Sequence, residues 1–168
     1  NDIDQKSRQK FLNIMDEEAK RMNRLIDDIL SLSKVETEEH ITPSTSLSIL
    51  DPIKSVISSL DERGLSKNNK ISLINKSMDP TKPIYIIGNH DEITQVFTNL
   101  LENAIKYGFE NSEIIVEVEK NKNKEITVII TNEGEGIPQK YLERLTERFF
   151  RVDKARSRKI GGTGLGLA

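Results

Sequence analysis

The chain has 168 residues, of which 35% are apolar and 31% charged, enough for one compact domain with an appended element beneath a well-solvated surface. A net charge of −2 gives no electrostatic basis for nucleic-acid or acidic-membrane binding, and the lack of cysteine rules out disulfides and thiolate metal sites. Aromatic residues are 5% with no Trp, so Ile, Leu and Val must carry the core, and no run approaches the roughly 18 apolar residues needed to span a membrane. The chain is therefore expected to be soluble.

The first element is a helix over residues 7–35. Met15, Met22 and Ile29 recur every seventh residue, Glu18, Leu25 and Leu32 form a second such series, and Phe11 extends the stripe backward. A glutamate in the seam and two methionines suit a bundle helix rather than an ideal zipper. The remaining sequence offers no matching helix, so the stripe calls for a partner outside this chain, or else packs as a surface helix on the neighbouring domain. Residues 36–46 are polar, contain Pro43 and lack periodicity, which marks a linker.

An alternation of α and β elements follows. Residues 47–50 suggest a short strand, and Asp51-Pro52 opens a helix expected to run to residue 63, stopped by Gly64. Residues 71–74 and 84–87 suggest strands separated by a Pro-rich turn. Asn89 is expected to cap a long helix, with Glu92 completing a capping box, and Gly108 to end it. Residues 113–119 and 125–131 flank a polar turn and suggest an antiparallel hairpin.

Three features carry chemistry. On the long helix, steps of about 100° gather Ile93, Val96, Phe97, Leu100, Leu101 and Ala104 on one apolar arc, and collect Asn99, Asn103 and Lys106 within about 60° on a flank, with Tyr107 at the boundary. Amide oxygens suit Mg²⁺ and an ammonium neutralises phosphate, although the same flank also fits a solvated surface. In residues 129–138 a strand leads into Gly134, Gly136 and Ile137, where missing Cβ atoms allow close approach to a flat ligand. In residues 161–167, Gly162, Thr163, Gly164, Leu165 and Gly166 lead into an apparent helix start that offers N–H groups to phosphate. Each glycine run alone is equally a turn. The last is neither a P-loop, since no Gly-Lys-Ser/Thr follows, nor a dinucleotide fingerprint, since it does not follow a strand. Between the runs, Phe149 and Phe150 sit among Arg148, Arg151, Lys154, Arg156, Arg158 and Lys159. This stretch fits a solvated loop, a nucleic-acid contact, or a lid over a nucleotide.

In this order the features resemble the N, G1, F and G2 boxes of sensor histidine kinases of two-component systems, at residues 95–107, 132–138, 147–150 and 162–167. Residues 144–158 look especially like phosphate-regulon sensor kinases, and residues 7–35 are similar to the second helix of the dimerisation and phosphotransfer hairpin. The resemblance implies an α+β fold: a two-layer α/β sandwich of the type shared with gyrase, Hsp90 and MutL ATPases, preceded by one long bundle helix. Residues 1–40 would be that helix with the start of the linker, and residues 41–168 the catalytic ATP-binding domain. ATP and Mg²⁺ are the implied ligands, with Asn103 binding the metal. Asn99 and Lys106 would lie along the triphosphate, and Tyr107 would face the ribose or phosphate. Asn132, Gly134, Gly136 and Ile137 would form the nucleotide pocket. Phe149 and Phe150 would hold the lid, Arg151 would approach the γ-phosphate, and Gly162, Thr163, Gly164, Leu165 and Gly166 would shape the phosphate pocket. Asn99, Lys106 and Arg151 are the residues implied for catalysis.

The implied reaction moves the ATP γ-phosphate to a histidine on a helix absent from this chain, for relay to a response-regulator receiver domain. A homodimer through the helical bundle is implied, with no nucleic acid and no direct membrane contact. A cytoplasmic location follows, the parent protein being attached to the inner membrane. The alternative is a non-catalytic nucleotide-binding or dimerisation module. A gyrase-type ATPase is disfavoured, because Asn99 stands where those enzymes carry a water-activating Glu, and an amide cannot accept a proton at neutral pH.

The sequence departs from the family pattern in three places. The G1 box begins with Asn132 in place of the Asp that accepts from the adenine amino group, so that bond loses its charge assistance. The histidine-bearing helix is absent, as are the helix and closing strands that follow the G2 box, so both ends are expected to be cuts and the sheet incomplete. His40 and His90 lack an acceptor context and are expected to be ordinary surface histidines, leaving the isolated chain unable to phosphorylate itself.

Overall fold

A computed structural model of the chain describes residues 4–38, 43–62, 68–77, 79–152 and 163–167. It forms two compact units, residues 42–142 and residues 1–41 with 143–168.

In the second of these, α1 (Gln5–Glu38) runs without Gly or Pro for 34 residues, on the order of 50 Å. Asp4 caps it, its carboxylate accepting from Lys6 N at 3.1 Å. The pair Asp16–Lys20, 2.7 Å apart on successive turns, raises the Lys20 pKa through its hydrogen bond and its charge. The heptad stripe divides. Met15, Met22 and Ile29 are exposed with Phe11 and Ile26, whereas Leu25 and Leu32 are half-buried together with Arg21 and Asp28 on an adjoining face. Glu18 lies at the surface and meets Arg21 at 3.3 Å.

The other unit contains β1 (Ser46–Ser48), α2 (Leu50–Glu62), β2 (Lys70–Asn75), β3 (Tyr85–Ile87), α3 (His90–Tyr107), β4 (Glu113–Lys120) and β5 (Ile126–Asn132). Leu50, expected in a strand, is instead the first residue of α2, because Pro52 is tolerated within a first turn that needs no donor from it. β2 pairs parallel with β4, and β4 pairs antiparallel with β5 from Ile114↔Asn132 to Lys120↔Ile126. β1 and β3 make a separate antiparallel ribbon. Ile114, Val116 and Val118 point inward from β4 and pack with Ile53, Val56 and Leu60 of α2 and Phe97, Leu101, Ala104 and Ile105 of α3. This is the expected two-layer α/β sandwich. Leu101 is fully buried, and its truncation to Ala would cost roughly 3 kcal/mol.

The helical arc differs from the expected one at two positions. Ile105 is buried, and Val96 is 52% exposed, because the sheet meets α3 along Phe97, Leu101 and Ala104 and leaves Val96 on the flank between Asn103 and Tyr107. Asn69, buried at the start of β2, donates through Nδ2 to Phe109 O at 2.7 Å, Ser112 Oγ at 2.9 Å and Ser112 O at 3.1 Å. It holds the loop between α3 and β4.

Candidate nucleotide-binding site

The site begins with how α3 starts and stops. Asn89 Oδ1 accepts from Asp91 N at 2.9 Å and Glu92 N at 3.4 Å, a cap that fills two otherwise unpaired donors. Glu92 makes no return bond among the described residues, so the reciprocal half of the capping box is not formed. At the other end Gly108 N donates to Ala104 O at 2.9 Å, and Phe109 N to Glu133 O at 2.8 Å. Gly108 and Gly134 form an isolated antiparallel bridge. A Cβ on Gly134 would stand 2.7 Å from Tyr107 O, so the position leaves no room for a side chain against the end of α3. Gly136 (φ +73°) has open space around it and turns the chain in the left-handed region.

Asn132 closes β5, on the inward side shared with Val128 and Ile130. Its Nδ2 lies 3.6 Å from where a Cβ on Gly108 would sit, and its amide has no hydrogen-bond partner among the described residues. Tyr107 and Ile137 are 43% and 47% exposed, leaving apolar surface at the end of α3 and in the turn after β5.

Along the flank, Gln95 Nε2 donates to Asn99 Oδ1 at 3.1 Å. That bond uses one lone pair of the Asn99 oxygen and leaves its Nδ2 to donate. The Asn103 amide makes no hydrogen bond among the described residues, and its oxygen is on offer to a hard cation. Lys106 Nζ stands 5.4 Å from the centre of the Tyr107 ring. Asn99, Asn103 and Lys106 are all half-buried. One unit thus carries the expected N-box and G1 residues together: two amides with different free atoms, an ammonium, and an unpaired amide at a strand end.

The F-box and G2 residues gather in the other unit. Phe149 N donates to Gly164 O at 2.8 Å, and both residues are left-handed, with φ of +63° and +79°. A Cβ on Gly164 would lie 2.8 Å from Phe149 C and 2.9 Å from Phe150 O, so only glycine fits. Arg144 grips both Glu147 oxygens, with Nε at 3.0 and 3.1 Å and Nη2 at 2.9 Å, and lies 4.2 Å from the Phe150 ring centre. Its hydrogen bonds and charge hold the Glu147 carboxyl below the usual glutamate range. Arg151 Nε and Nη2 are buried with no hydrogen-bond partner among the described residues, an unfilled pair of donors suited to an anion. Thr163 Oγ1 donates to Asp28 Oδ2 of α1 at 2.5 Å. Leu165 is buried, and Gly166 is half-buried beside it. Gly162, His40 and the cations at 154, 156, 158 and 159 lie outside the described residues. His90 is an exposed residue at the start of α3, 3.6 Å from Asp91.

Gln95, Arg144 and Asp28 contact candidate site residues without having been singled out in the sequence. The Gln95–Asn99 spacing of four was a usable helical signal. For Asp28 there was none, since its partner lies 135 residues away.

A glycine-stitched helix end carrying amides and an ammonium, on a two-layer sandwich, defines a nucleotide-binding module. Residues 88–168 match the family described as Histidine kinase-, DNA gyrase B-, and HSP90-like ATPase. Over 95% of its length the chain is 36% identical to the sensor histidine kinase WalK of Bacillus subtilis (strain 168). It is 37% identical, again over 95%, to the sensor protein kinase WalK of Staphylococcus saprophyticus, and spans 25% of each relative. The solved structure of histidine kinase ThkA in complex with response regulator protein TrrA aligns with a TM-score of 0.69 at 25% identity, covering 89% of this chain and 42% of that one. Residues 88–168 carry the ATPase domain of the matched family, and over 95% of its length the chain is similar to sensor histidine kinases. The likeness to phosphate-regulon kinases rests on residues 144–158 alone. Among the described residues, no helix is long and apolar enough to cross a membrane.

Proposed function

We propose that the chain is the catalytic core that moves the ATP γ-phosphate to a histidine on a helix outside it, for relay to the receiver domain of a response regulator. The observation that carries this reading is the Asn103 amide beside Lys106 on α3, which makes no hydrogen bond among the described residues, in a chain whose relatives are sensor histidine kinases. Asn103 Oδ1 would bind Mg²⁺, a hard cation that completes its shell with waters and phosphate oxygens and neutralises phosphate charge. Asn99 Nδ2 and Lys106 Nζ would orient and neutralise the triphosphate, and the spare donors of Arg151 would meet the γ-phosphate. Asn132 would accept from the adenine amino group, beside Gly134, Gly136 and Ile137, with Tyr107 toward the ribose. Phe149 and Phe150 would hold the lid, and Gly162, Thr163, Gly164, Leu165 and Gly166 would face the phosphates.

Phosphoryl transfer asks for positioning and charge neutralisation more than for covalent groups from the protein. Asn99 supplies no base for water, which favours a positioned acceptor over hydrolysis. The exposed apolar face of α1 (Phe11, Met15, Met22 and Ile29) supports a homodimer through a helical bundle. The likeness to ThkA, solved in complex with the response regulator protein TrrA, supports a response regulator as partner. Residues 1–40 then serve dimerisation and residues 41–168 catalysis, in the cytoplasm, with the parent attached to the inner membrane.

The test supplies a histidine-bearing acceptor hairpin in trans with γ-labelled ATP. Acid-labile, base-stable label should appear on the acceptor, and none on this chain incubated alone. Nucleotide binding without transfer would favour the non-catalytic alternative.

A further inference from the structure

We propose that Asp28 is a latch on the phosphate loop: its carboxylate holds the Thr163 hydroxyl in competition with nucleotide phosphates, coupling nucleotide binding to α1. The inference rests on the reading of residues 163–166 as a phosphate site.

The Oγ1–Oδ2 distance of 2.5 Å is that of a charge-assisted O–H···O⁻ bond. A hydroxyl has one proton to give, so Thr163 cannot serve Asp28 and a phosphate oxygen at once. The carboxylate also sets a negative charge beside residues whose N–H groups are the candidate phosphate donors, and like charge opposes the ligand there. Asp28 lies on the half-buried face of α1 with Arg21, Leu25 and Leu32, so the latch leaves the exposed apolar face to a partner helix.

The contact extends into the lid. Thr163 adjoins Gly164, whose carbonyl is held by Phe149 N at 2.8 Å, and Gly164 fits against Phe149 and Phe150 with no room for a Cβ. A shift of α1 at Asp28 is therefore passed through two residues to the foot of the Phe149–Phe150 pair. In the other direction, phosphate binding that takes the Thr163 hydroxyl frees α1 from the loop.

A Mg²⁺-dependent titration of a fluorescent ATP analogue into wild type, Asp28→Ala, Thr163→Val and the double variant tests this. Position 28 is helical, where Ala is well tolerated, so folding is preserved. Asp28→Ala should tighten binding roughly three- to tenfold, and the same change in the Thr163→Val background should give a clearly smaller gain. Without nucleotide, amide exchange across residues 163–167 should quicken in Asp28→Ala. An unmoved or weakened affinity in Asp28→Ala, an equal gain in both backgrounds, or unchanged exchange overturns the latch while leaving the nucleotide site intact. Failure of the wild type to bind the analogue overturns the reading of the site, and the latch with it.

Discussion

Gly108 and Gly134 face each other across an antiparallel bridge that pins the end of α3 to the turn leaving β5. The two segments bearing Tyr107 and Asn132 owe their proximity to this contact. Neither glycine has a positive φ, so what each position demands is space and not backbone freedom.

Gly134→Ala would drive a Cβ to within 2.7 Å of a backbone oxygen that cannot move without shifting α3. A loss of about 2–3 kcal/mol is expected, with weakened ATP binding. Gly136→Ala meets no neighbour but is strained by its φ of +73°, for a cost of about 1 kcal/mol. Urea unfolding midpoints compare the two. Equal losses would mean that the bridge is not the constraint.

Asn103→Ala removes the free amide oxygen of the α3 flank, and most of the Mg²⁺-dependent part of ATP affinity should go with it. Gln95→Ala only unpins Asn99, and should weaken binding by about twofold with or without Mg²⁺. Calorimetry with and without the metal separates these effects. Equal ATP affinity in wild type and Asn103→Ala under both conditions would remove Asn103 from the metal site.

Asn132→Asp should tighten ATP binding by about 1 kcal/mol, because a carboxylate accepts more strongly than an amide. It should also widen the preference for ATP over GTP. An Asn can turn its Nδ2 toward a guanine carbonyl, whereas an Asp presents only lone pairs to it. Paired titrations of both nucleotides read the ratio. A ratio unchanged by the substitution would show that Asn132 does not meet the base edge.

Glu147 predicts a pH dependence of definite sign. Its carboxyl titrates below the ordinary value because Arg144 binds the charged form. The clamp's contribution is therefore complete above the unfolded-state pKa and lost as pH falls through the lowered folded value. Arg144→Gln should shift the Glu147 titration, followed by carboxyl NMR, back up toward the ordinary value. Its effect on thermal stability at pH 7 should vanish once the pH falls below the lowered folded-state value. A Glu147 titration that ignores Arg144→Gln would mean the clamp does not persist in solution.

Much of the unit formed by residues 42–142 was legible because its signals are local. Asn89 caps α3 through its own side chain, the alternation of residues 113–120 buries Ile114, Val116 and Val118, and the same period of two sets Asn132 on the inward side of β5. Steps of about 100° put Asn99, Asn103 and Lys106 on one flank, and no tertiary contact is needed to bring them together.

What the sequence by itself determined, then, is the order of the elements, the faces they present and the amide-bearing flank of α3, since these follow from the periods of helix and strand. The tertiary structure alone decided which of those faces is covered. Val96 fits the apolar arc by spacing, yet the sheet meets α3 elsewhere and leaves it exposed; Leu25 and Leu32 part from Met15, Met22 and Ile29 on α1 for the same kind of reason. Gly134 could be seen as a glycine, but not that Tyr107 O would occupy its missing Cβ. The Asp28–Thr163 bond joins residues whose local patterns carry no trace of each other, because a hydrogen bond depends on distance in space, and the fold sets that distance.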